Sequence, residues 1–141
     1  RNIKPWIQCH RHCDWELTMA TSTRTLPGNF ANTQYEDTAV TNGSGTTVQA
    51  DATSGTLHAV FIDNTAGSNN AYIRIFDAGS ATSGTTVPDF IFYAPGNSTV
   101  MYTIPLGLAY GTGLRYAAVN VGGTSGTGAT GTVILRMLLE T

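Results

Sequence analysis

Cys9-His10-Arg11-His12-Cys13 is the densest set of metal-binding side chains in the sequence. Thiolates and imidazoles are the usual zinc ligands. Four of them within five consecutive residues cannot easily converge on one tetrahedron, and no second cluster follows. The segment reads as a solvated or unordered tail. Nucleophilic catalysis needs a nucleophile, a base and an orienting group. After Met19 the one histidine is His58, with no partner acid or histidine beside it, and it reads as a packed residue. Sugar cleavage needs paired carboxylates, which would have to come from Glu36, Asp37, Asp51, Asp63, Asp77, Asp89 and Glu140. Most of these fall at the ends of apolar runs, where Asp caps turns. Asp63 with Asn64, or Asp77, could offer loop oxygens to Ca²⁺, but no run of alternating acidic ligands accompanies them. Pro105–Gly113 is glycine-rich, yet no lysine and no strand-to-helix switch follow, so it is not a phosphate loop. The expectation is a non-enzyme with no metal and no cofactor.

The elements that would position any site are strands. TLHAVFID, AYIRIFD, DFIFYAP and TVMYTIP succeed one another between Thr56 and Pro105. Each is rich in β-branched and aromatic residues and bounded by Gly, Asn, Ser or Pro, the signature of a half-buried strand. Thr46–Ala50, Leu114–Val121 and Thr132–Leu139 add further strands. In Leu57–Ile62 both alternating sets are largely apolar, which places that strand deep in the fold. In Ala71–Asp77 the set Ala71/Ile73/Ile75 belongs inward, and Arg74 is expected to snorkel on the outer face. Pro95-Gly96-Asn97-Ser98 fits a hairpin connection. Leu106, Leu108 and Tyr110 are expected to plug one end of the sandwich. The last strand is so apolar that it must pair inside a sheet, beside an early strand, as Greek-key topology allows.

Residues 1–18 do not match the rest, and Met19-Ala20-Thr21 looks like a translation start. The segment is either an upstream extension or a true N-terminal arm. The expected division is an arm over residues 1–45 and a β-sandwich over residues 46–141. Leu26, Phe30, Tyr35 and Val40 stand singly in a polar stretch. They are the candidate contacts to a neighbouring subunit or capsid. Residues 78–88, a Gly/Ser/Thr loop, are given contact at most.

Bulk composition agrees. The chain has 141 residues, enough for one domain with a sizeable core. Charged residues make up 11%, under half the usual share, which leaves little raw material for an active site. Net charge is −2 and the basic residues are scattered. Tracking a phosphate backbone requires clustered Lys and Arg, so nucleic acid is excluded as a direct partner. No apolar run reaches the ~20 residues of a membrane-spanning helix.

Asp63-Asn64-Thr65, Phe76-Asp77-Ala78, Val87-Pro88-Asp89 and Pro105-Leu106-Gly107-Leu108-Ala109-Tyr110 sit at strand ends and openings. In this arrangement, residues 54–139 resemble small all-β virion proteins of tailed bacteriophages, particularly those infecting cyanobacteria. The resemblance implies an antiparallel Greek-key or jelly-roll-like sandwich. It also implies a capsid decoration (cement) protein made in the host cytoplasm and carried on the virion surface. Its partners would be the major capsid protein and further copies of itself, with a trimer favoured. The alternative is a tail or fibre module reading a host glycan through Tyr93, Tyr102 or Tyr110.

Overall fold

A computed structural model describes residues 21–25, 31–40, 45–126, 128 and 132–141. Among them are nine strands and no helix. They are β1 (Thr21–Thr25), β2 (Thr33–Val40), β3 (Val48–Asp51), β4 (Gly55–Asp63) and β5 (Ala71–Asp77). They continue with β6 (Phe90–Ala94), β7 (Thr99–Tyr110), β8 (Leu114–Val119) and β9 (Val133–Glu140). Period-2 alternation builds them. In β9, Val133, Leu135, Met137 and Leu139 are fully buried, while Ile134, Arg136 and Leu138 face the other way and are half-buried. One face therefore joins the core and the other does not.

The strands form two sheets, ordered β1-β2-β9-β4-β7 (sheet one) and β3-β8-β5-β6 (sheet two). Every ladder is antiparallel. Apart from the β1–β2 and β5–β6 pairs, each consecutive strand crosses to the opposite sheet. This is the double Greek-key wrap of a jelly roll. β9 lies between β2 and β4, where its apolar edge is paired on both sides. The core fills the space between the sheets with Leu57, Val60, Ile62, Ile73, Ile75, Leu135 and Tyr116 among others.

The connections gather at two ends. At one, Asn64 N–H donates to Ser98 O (2.8 Å) and Asn97 N–H to Gly67 O (2.7 Å). At the other, the Asp77 carboxylate accepts the N–H groups of Gly111 and Thr112, each at 2.8 Å.

The division at residue 45 does not hold. β2 is an interior strand of sheet one, paired to β1 on one side and β9 on the other. Residues 21–25 and 31–40 are thus part of the sandwich. Two of the four candidate contacts, Tyr35 and Val40, are core residues. Their side chains are enclosed between the sheets. Leu26 and Phe30 lie outside the described residues.

Candidate contact surface

The two outer faces of the sandwich differ. On sheet two, residues Arg74, Phe76, Ala117 and Val119 point away from the core yet are buried. A roof of loops covers them. Residues 78–88 fold back over the strands, tied by Thr47 Oγ1 to Ala81 O (2.8 Å) and by Gly45 N–H to Ser83 O (2.8 Å). Arg74 is 0% exposed, and it clasps loops that arrive from opposite ends of the fold. Its guanidinium donates to Ser83 Oγ (3.1 Å) from one side, and to Val121 O (3.3 Å) and Ser125 O from the other. Burial pulls its pKa below the usual guanidinium range. The expectation that Arg74 snorkels to solvent fails. The outward direction was right, but neutral Gly/Ser/Thr loops occupy the space above it.

Among the described residues, no such roof covers the outer face of sheet one. Ladder registers set its side chains in rows across the strands. One row runs Thr103, Ala59, Leu138, Gln34, and the next Met101, Phe61, Arg136, Glu36. Arg136 Nη2 meets Glu36 Oε1 at 2.8 Å, and the guanidinium lies over the Phe61 ring, 5.3 Å from its centroid. Arg136 and Glu36 thus neutralise each other, while Arg24, paired with Gln34 at the end of the first row, is an exposed cation on the same face. Between the rows lies an open depression of about 220 Å³, lined by Gln34, Ala59, Phe61, Met101, Arg136 and Leu138.

A bulge in β7 stands beside it. Leu57 pairs with Leu108 and Ala59 with Thr103, so Ile104-Pro105-Leu106-Gly107 opposes the single residue His58. Gly107 has φ +70°, and a Cβ there would lie 2.2 Å from Thr56 Cγ2 and 3.0 Å from His58 Cε1. The bulge thus folds down onto β4 and helps bury His58, whose Nε2 is 3.2 Å from Glu140 Oε2. An acid does stand beside this histidine, brought from 82 residues away. Leu106, at the tip, is 97% exposed. It plugs nothing, because β7 continues as a strand to Tyr110, and only Leu108 and Tyr110 of the three expected plugs reach the core.

The aspartates at strand ends serve neighbouring backbone and hydroxyl groups. Asp51, Asp63 and Asp77 are the last residues of β3, β4 and β5. Asp63 Oδ1 accepts from Thr65 Oγ1 (2.6 Å) and Thr65 N–H (3.0 Å). Those bonds, the hydroxyl's first, hold its pKa below the ordinary range. Asp51 takes the Tyr110 hydroxyl at 2.8 Å. Asp89 Oδ2 accepts the Asp77 N–H at 2.7 Å. Among the described residues, no three His, Cys, Asp or Glu side chains come together in a way that could hold a metal ion. Cys9–Cys13 lies outside them.

The three tyrosines have different fates. Tyr110 is buried. Tyr102 packs on Phe92, ring centroids 5.1 Å apart, and its hydroxyl caps Tyr93 O. Tyr93 is 38% exposed and lies beside Tyr72, with ring centroids 5.1 Å apart.

Fold and faces together define a jelly-roll sandwich with one face roofed by loops and, among the described residues, one open face of mixed apolar and polar side chains. No family model, curated protein or solved structure matches this chain.

Proposed function

We propose that this chain is a structural virion protein that decorates a capsid as a homo-oligomer, as its sequence resemblance implies. The observation that carries this reading is the outer face of sheet one, which no described loop covers. Its Phe61, Met101 and Leu138 lie beside a fully exposed Leu106 held on a shaped bulge. Apolar surface presented on rigid strands favours contact with other protein. Jelly rolls occur in viral capsid proteins and in lectins, so the fold is compatible with the reading without deciding it. The test is to strip the chain from particles and heat both forms. Bare particles are expected to open at a lower temperature, and adding the chain back to restore the difference. Equal opening temperatures would contradict a cementing role.

One observation favours the second reading, a glycan-binding tail or fibre module. Tyr93 and Tyr72 form an aromatic pair at the surface, with the Tyr93 hydroxyl donating to Asn70 Oδ1 (3.2 Å). Selective retention on immobilised host glycans, lost in Tyr93→Ala, would favour that module over decoration.

A further inference from the structure

We propose that the Leu106 tip of one copy seats in the Phe61–Met101–Leu138 depression of a second copy, and that two copies do this reciprocally. The inference rests on the self-associating part of the reading above. It adds which surface makes the contact.

Three observations support it. The first is size. The depression measures about 220 Å³, whereas apolar cavities of about 150 Å³ already accept a benzene-sized guest. A leucine side chain fits with room for its neighbours on the bulge. The second is placement. Gly107 lies against Thr56 and His58, and Ala59, the next residue of β4, floors the depression. Tip and depression therefore occupy one face, side by side. Two copies meeting face to face about a two-fold axis fill both seats at once, which is the self-complementarity an isologous contact requires. The third is extent. The ion pair of Arg136 and Glu36 is neutral beside the depression, and Arg24 stands on β1, at the edge of the sheet away from β7. Five strands ~4.8 Å apart, rising ~3.3 Å per residue over eight residues, offer on the order of 600 Å². With the raised bulge added, this approaches the ~800 Å² per partner of a standard interface.

This geometry gives a dimer in place of the trimer expected from sequence. It also leaves Val87, Phe90, Ile91 and Val121, all well exposed, for contact with the particle.

Sedimentation of the full chain over a wide concentration range tests the proposal. The wild type is expected as a dimer. Leu106→Asp and Met101→Asp are each expected to weaken pairing by about tenfold or more. Both positions are mostly exposed (97% and 60%), so far-UV circular dichroism should be unchanged. A wild-type monomer at every concentration, a wild-type trimer, or a dimer indifferent to both substitutions would overturn it. Particle binding is scored separately. A wild type that pairs but never binds particles removes the decoration reading and leaves the contact standing.

Discussion

The Tyr116 hydroxyl donates to Asp37 Oδ2 at 2.6 Å, joining sheet two to sheet one through the middle of the core. Tyr116 has one proton and gives it to Asp37, so its oxygen is left to accept from the Tyr35 hydroxyl at 2.8 Å. The two rings meet edge-on, with centroids 5.7 Å apart. Asp37 is only 4% exposed, and its other oxygen takes the Ala39 N–H at 3.0 Å. A buried carboxylate is tolerated here because donors reach it from both sheets.

Tyr116→Phe removes one of those donors and leaves Asp37 enclosed. The expected cost is ~1–3 kcal/mol, read as a lower urea midpoint at neutral pH. Burial, then the bond to Asp37, pushes the Tyr116 pKa well up. A raised folded-state value means this contribution is fully present below the unfolded value of ~10 and is lost as pH rises beyond it. Wild-type stability should therefore fall above about pH 10. The fall should be shallower in Tyr116→Phe, with Tyr35 and Tyr110, both also raised, keeping part of the slope.

Asp77 works at the opposite extreme of pH. The N–H of Gly111, then that of Thr112, hold its carboxyl below the ordinary range. A depressed value means the contribution is present above the unfolded value of ~3.9 and disappears as pH falls through the folded one. Asp77→Asn should lower the urea midpoint at pH 7 and flatten its decline on acidification. Parallel declines for the two proteins would show that this clamp carries no charge-dependent stability.

Arg74→Lys tests the roof over sheet two. One ammonium cannot serve Ser83, Val121 and Ser125 together as the planar guanidinium does. Protease nicking within residues 78–88 and 120–126 should quicken severalfold, with stability lower by ~1–3 kcal/mol. Unchanged nicking would mean the loops hold themselves down.

Gly107→Ala tests whether the bulge is shaped by its backbone. At φ +70°, with Thr56 Cγ2 in the way, a Cβ must displace the turn. The expected cost is ~1–3 kcal/mol. Pairing of copies should weaken as well, although Leu106 itself is untouched.

Strand positions were legible where β-branched and aromatic residues run together between turn residues, as in β4, β5 and β9. β2 was not legible as a sandwich strand. Its sequence TQYEDTAV carries Glu36 and Asp37, and a register shift between Asp37 and Val40 breaks the alternation. What makes Asp37 a core residue is Tyr116, 79 positions away. Arg74 could be read as outward but not as covered, because a Gly/Ser/Thr loop gives no sign of where it lies. Leu106 sits in a Pro-Leu-Gly stretch that looks like packing material. Only the pairing of β7 against β4 reveals four residues opposite one. The contact face is spread over β2, β4, β7 and β9, so no local motif announces it.

The most direct measurement is an image of the particle with this chain located and counted. The account calls for many copies at symmetry-related positions on the outer shell, each touching capsid protein. A few copies confined to the tail, or none on the particle at all, would contradict it.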